Sequence, residues 1–280
     1  MSRESTTSVP TRRPLPAPSP TATGHRWYVL AVLFAVYTVS YLDRQILVIL
    51  AEPIKREFYL KDWQLGFLTG TAFALFYATL GIPIARLADR WHRVNILAAS
   101  LAIWSAMTSL CAFSASFLQL AAVRIGVGIG EAGGSPPSVS LLSSYFERHE
   151  RATAMAIYSL GTTVGILCGF VIGGWVGQVY GWRAAFLVAG LPGVALSQAL
   201  KLTVTEPRSR IPGGFVSHAN APGVLETVRV LASSRAGRLL NGAAVAASIT
   251  FNGFMAWLPV YMIREFSLTT REVGTKIGVS

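Results

Sequence analysis

LQLAAVRIGVGIGEAGGSPPSVSLLSSYF, residues 118–146, is an apolar run long enough to cross a bilayer, yet it carries Arg124 and Glu131. Seven residues of α-helix turn through roughly 700°, about 20° short of two turns, and rise about 10 Å. The two charges therefore lie on one face, one nearer a membrane surface and one near the middle. A charge inside a bilayer costs between about 2.5 and 17 kcal/mol, so it normally faces a protein interior or a water-filled cavity and marks function. The structural alternative is a salt-bridge net that only holds helices together. Gly126, Gly128, Gly130, Gly133 and Gly134 leave the helix thin enough for close neighbours. Pro136 and Pro137 interrupt the backbone ladder, which a membrane helix tolerates where neighbours or water satisfy the freed carbonyls.

Composition extends this reading to the whole chain. Of 280 residues, 52% are hydrophobic and 13% charged, and the mean hydropathy is +0.49. Soluble domains carry about 25% charged residues, so a polytopic, all-α membrane protein is expected. Apolar segments fall at Trp27–Leu50 and at about 64–85, 94–113, 118–144, 152–179, 184–203 and 238–263, with an eighth beginning near Arg271. Residues 1–25, rich in Ser, Thr and Pro, read as a disordered tail, and 204–237 as a polar linker between a six-span bundle (26–203) and the start of a second (238–280). Within the linker, Pro222, Val224, Leu225, Val228, Leu231 and Ala232 have the spacing of a short amphipathic helix. It would lie on the membrane surface or dock as an ordinary linker.

The net charge of +11 follows topology. With the N-terminus cytoplasmic, fifteen of the 24 basic residues fall in inner segments, seven in outer ones, and Arg44 and Arg124 are embedded. No nucleic-acid surface is implied. Cys111 and Cys168 lie in apolar runs and are expected as free thiols. His25, His92, His149 and His218 fall in loops or tails and form no metal-ligand cluster. No phosphate-cradling loop or GxSxG elbow suggests a cofactor or an enzyme, and no histidine within a span could activate Ser135 for hydrolysis.

Asp43 in span one sits about seven residues from its outer end, as Arg124 does in antiparallel span four, so the two should pair across the spans. Glu131 is then left as the less compensated carboxylate, and such a group takes up and releases protons readily.

Ala85-Arg86-Leu87-Ala88-Asp89-Arg90-Trp91-His92-Arg93, between spans two and three, resembles the G-x-x-x-D-R-x-x-R loop of the major facilitator superfamily, with Ala85 in the place of the glycine. A partial copy, Glu147-Arg148-His149-Glu150-Arg151, comes after span four. Asp89, Arg90, Arg93, Arg148 and Arg151 are thereby candidates for a gating cluster on the cytoplasmic side. Span five repeats glycine every four residues at Gly161, Gly165, Gly169, Gly173 and Gly177. Such a stripe drifts about 40° per step, which suits close packing against changing neighbours. It is similar to the fifth span of superfamily antiporters, with Phe170 where their proline stands.

Tyr41-Leu42-Asp43-Arg44, Arg124 with Gly128 to Ala132, and the ending Ala256-Trp257-Leu258-Pro259 of span seven together resemble the spinster-like branch. The resemblance implies the N-terminal six-helix bundle of the major facilitator fold plus the start of the second. It further implies a proton-coupled secondary transporter that moves a lysolipid-like substrate or amphipathic organic anion by alternating access in a bacterial inner membrane. Asp43, Arg44, Arg124 and Glu131 would bind and couple, with Asn252 of span seven at the depth of Glu131. The competing expectation is a truncated, non-transporting chain that needs a partner bundle or self-associates.

Overall fold

In the computed structural model, which describes residues 22–210, 226, 229 and 232–279, the apolar segments become seven membrane-length helical units. The first is α1 (Ala22–Ile49), which begins inside the stretch expected to be tail. A short α2 (Ala51–Phe58) leads to the second unit, built from α3 (Asp62–Gly66), a π-helical turn (Phe67–Thr71) and α4 (Ala72–Arg90). The third unit is α5 (Arg93–Cys111). The fourth is broken into α6 (Phe117–Glu131) and α7 (Ser135–Tyr145). Then come α8 (Arg151–Tyr180), α9 (Trp182–Thr203), α10 (Arg235–Phe266) and α11 (Thr270–Val279). Among the described residues, six helices are long and apolar enough to cross a membrane, the broken fourth unit being the exception. The amphipathic segment expected around Pro222–Ala232 lies almost wholly outside the described residues.

The break in the fourth unit comes at Ala132–Gly134, one turn before the prolines. Pro136 and Pro137 sit in the first turn of α7. There their missing N–H groups cost no hydrogen bond and their fixed φ suits a helix start.

The glycine stripe corrects its expectation. A Cβ at Gly161, Gly165 or Gly169 would come 3.1, 2.5 or 2.8 Å from the carbonyl oxygens of Phe34, Thr38 and Leu42, and Gly173 faces Ile46 and Ile49. The stripe thus stays on one neighbour, α1, throughout its length. Two helices that wind about each other absorb the drift that a straight helix would show. Off the stripe, Gly174 meets the Thr270 carbonyl and Gly274 in α11.

Helix α1 also sets the layering. Its buried residues up to Val36 join one apolar cluster, with Leu97, Trp104, Val127 and Leu141. From Ile46 onward they join a second, with Leu120, Phe170 and Phe186. Between the two clusters α1 carries Ser40, Asp43 and Arg44. Apolar packing above and below positions this polar layer.

Candidate functional site

The polar layer holds two ion pairs between α1 and α6. Asp43 and Arg124 are both buried, with 3.8 Å between their charged atoms. That is an ion pair but too long for a hydrogen bond. Thr108 of α5 donates to the other Asp43 oxygen. Asp43 Oδ1 and Arg124 Nε and Nη1 find no hydrogen-bond partner. The pair is sealed and incompletely satisfied.

The second pair was not expected. Arg44 Nε donates to both oxygens of Glu131 at 3.1 Å, and the Ser40 hydroxyl donates to one of them. Glu131 is therefore not the uncompensated carboxylate that counting depths suggested. Counting went by Cα positions, whereas helical side chains lean toward the helix N-terminus. The long Arg44 side chain leans back along α1 to the level of Ser40, one turn earlier, and meets Glu131 there. Asp43, one residue and about 100° away, points instead at Arg124.

Arg44 is also ringed by aromatic side chains. Its guanidinium carbon lies 5.0 Å from the Tyr41 ring, 4.6 Å from Phe73 and 5.0 Å from Tyr77. Its side chain remains 26% exposed while Glu131 is 2% exposed. The opening is a small cavity of about 30 Å³ lined by both residues, by Tyr37, Tyr41, Tyr77 and Tyr158, and by Ser135 and Ser138. Tyr37 stacks on Tyr158 at 4.4 Å. Among the described residues, every side-chain hydrogen bond of Arg44 leaves from Nε. The two terminal NH₂ groups thus have no acceptor among the described residues, and their fork matches a carboxylate or phosphate.

Arg93 is buried at the end of the bundle that carries the chain start. Its Nε donates to both oxygens of Glu206 at 3.1 and 3.2 Å, and its backbone N–H donates at 2.8 Å. Its Nη1 reaches the Ser140 carbonyl and hydroxyl and the Ser144 hydroxyl at 2.8–2.9 Å. It thereby ties the start of α5 to α7 and to the segment after α9. Nearby, Arg26 grips Glu150 at 2.7 and 2.9 Å. The other described members of the expected cluster, Arg90, Arg148 and Arg151, take no part in these ties. Arg90 and Arg148 are exposed, and Arg151 donates to the Phe146 carbonyl. The side chain of Asp89 lies outside the described residues. Asn252 is exposed on α10 and donates to the Ser248 carbonyl of its own helix, apart from the polar layer.

A family model described as Major Facilitator Superfamily matches residues 33–280. The chain belongs to the Major Facilitator Superfamily. Among superfamily relatives, an MFS-type efflux pump of Mycolicibacterium smegmatis is 31% identical over 91% of this chain and 58% of its own length. A D-galactonate transporter of Escherichia coli is 27% identical over 89% of this chain and 62% of its own. The crystal structure of a bacterial homolog of the human lysosomal transporter Spinster, inward-facing and unoccupied, superposes with TM-score 0.79 at 34% identity. That match covers 91% of this chain and 59% of the homolog. The chain thus spans about three-fifths of the length of these relatives. The fold is the N-terminal bundle of the superfamily with the first helices of the second bundle, in a multi-pass membrane protein.

Reading the superfamily loop in the sequence found Arg93 but missed its partner. Glu206 had a readable signal, as a single acid between the end of span six and Pro207. Arg26 and Glu150 had none beyond their charge, and Tyr77 and Phe73 looked like ordinary apolar filling of span two.

Proposed function

We propose that this chain forms the N-terminal half of a proton-coupled secondary transporter that moves an organic anion with an apolar part by alternating access. Arg44 and Glu131 are its coupling pair. The observation that carries this reading is the division of labour on Arg44, which lines an aromatic-walled cavity with Nε on Glu131 and the outer edge of the guanidinium, its two terminal NH₂ groups, without an acceptor among the described residues. An anion drawn onto that edge loosens the hold on Glu131. A buried carboxylate without its cation takes up a proton. Anion and proton therefore favour each other's binding, and the linkage is reciprocal. The result is cotransport of the two.

The four tyrosines give the cavity an amphipathic wall, which suits the head group of an anion that also carries an apolar part. One relative is named for D-galactonate, an organic anion. The arginine distribution puts the N-terminus and the Arg93 clamp in the cytoplasm. The clamp on Glu206 and the grip of Arg26 on Glu150 then serve as inner ties that open and close as the bundle rocks. A second six-helix bundle, from the rest of the polypeptide, from a partner or from a second copy, supplies the other wall.

The test is uptake into proteoliposomes made with the protein at its full genomic length, offered D-galactonate or lysophosphatidylglycerol under an imposed pH gradient. Glu131→Gln should abolish gradient-driven uptake while exchange of preloaded substrate persists. Gradient-driven uptake with unchanged pH dependence in that variant would remove the proton role.

A further inference from the structure

The cavity wall and the ion pair meet on two side chains of α4 that carry no charge. Phe73 lies with its ring 4.6 Å from the Arg44 guanidinium carbon and 5.9 Å from that of Arg124. The ring is therefore within cation–ring reach of both intramembrane arginines. Tyr77, one turn on, lies 5.0 Å from Arg44 and stacks on Phe73 at 5.3 Å with 21° between the rings. Two features of the backbone deliver this pair of rings. The turn just before them, Phe67–Thr71, is π-helical. A π turn takes in one residue more than an α turn and so resets the face on which the next side chains emerge. In addition, α6 carries Gly128 where α4 crosses it, and a Cβ there would come 2.8 Å from the Phe73 carbonyl oxygen. Any other residue would push α4 and its rings away from the arginines.

We propose that Phe73 and Tyr77 are positioning residues of the coupling pair, holding the Arg44 guanidinium at Glu131 and screening it from Arg124. This rests on the reading of Arg44 and Glu131 as that pair. The groups that face Arg44 are Glu131 from α6, Tyr41 from α1 itself, and Phe73 and Tyr77 from α4. When Glu131 takes a proton, the ionic attraction is lost while attraction to the ring faces persists, because it depends only on the arginine charge. Arg44 then stays in the cavity with its terminal NH₂ groups toward the anion. Without the rings it swings away from Glu131, and Arg124 repels it.

Dicyclohexylcarbodiimide, an apolar reagent that attaches to protonated carboxyls within membranes, gives a readout that needs no identified substrate. The modification rate of Glu131 is tracked by peptide mass in the full-length protein in lipid. Phe73→Leu and Tyr77→Leu should each raise that rate about tenfold, the scale of a desolvated cation–ring contact. Phe73→Tyr and Tyr77→Phe, which keep the rings, should stay near the unaltered rate. Arg44→Gln separates the two ideas. Should it accelerate modification while both leucine variants do not, the pair stands and the positioning role falls. Should Arg44→Gln also change nothing, the pair itself is refuted. Tyr77 is only partly buried, so its leucine variant keeps the test open if Phe73→Leu fails to fold.

Discussion

Two ion pairs span the same gap between α1 and α6, and they are built to opposite specifications. Asp43 and Arg124 are sealed, 3.8 Å apart, and three of their polar atoms have no hydrogen-bond partner. Arg44 and Glu131 are 3.1 Å apart, Glu131 also accepts from Ser40, and the pair opens onto a cavity. Burial without full hydrogen bonding makes a pair expensive to keep and more expensive to break, because either partner alone is an uncompensated charge. Openness makes a pair easy to disturb, which a coupling element needs. On the function proposed above, the difference makes the first pair framework and the second machinery.

The largest expected effect tests the framework pair. Arg124→Met alone should destabilise the bundle by about 3–5 kcal/mol, read as loss of the folded fraction in detergent. Asp43→Leu combined with Arg124→Met should recover most of that loss, since an apolar pair of similar volume often serves as well. A double variant as unstable as the single one would break the comparison.

Next, Arg44→Met should leave thermal stability within about 1–2 kcal/mol, because Glu131 keeps Ser40 and borders the cavity, yet uptake of the anion should vanish. Unfolding as severe as that of Arg124→Met would mean that the second pair is framework too.

A smaller effect is expected at Thr108, whose hydroxyl donates to Asp43. Thr108→Val keeps the shape and removes the hydroxyl, at a cost of about 1–3 kcal/mol with the substrate KM unchanged. A raised KM would show that the sealed pair communicates with the cavity.

The smallest effect comes from a third pair, at the end of the bundle opposite the chain start. Glu57 accepts from the Trp182 indole at 2.5 Å and from Arg183 at 2.6 Å, with about two-fifths of both charged side chains exposed. Partial burial pushes the Glu57 carboxyl up, but these two donors outweigh it and hold it below the ordinary range. Its contribution is therefore present above the ordinary carboxylate value and is lost as pH falls through the lowered one. Solvent screening keeps that contribution under about 1 kcal/mol, so Glu57→Gln should flatten the acid limb of the stability curve only slightly. A change comparable to that of Thr108→Val would contradict the ranking by burial.

Hydropathy and charge spacing made much of this legible without coordinates. The seven spans emerge from apolar runs set against bilayer thickness, because lipid cannot satisfy exposed backbone and each run must close its own ladder. Arg124 and Glu131 share a face because seven residues nearly complete two turns. Asp43 and Arg124 stand at one depth because antiparallel helices can be counted from a common end. These are local or one-dimensional facts, and the amino-acid order determines them.

What the order of residues left open lies between helices. Glu131 reads as a lone carboxylate until the lean of Arg44 along α1 is known, and that lean is a matter of side-chain direction rather than of Cα depth. The glycine stripe predicts turning partners until its glycines are seen to face α1 one after another. Arg93 finds Glu206 across 113 positions of chain. The rings of Phe73 and Tyr77 reach Arg44 only because a π turn and Gly128 set the face and the distance of α4. Periodicity fixes which side of its own helix a residue occupies. Which neighbour stands on that side, and how near, is decided when packed surfaces settle against one another, and no single segment carries that information.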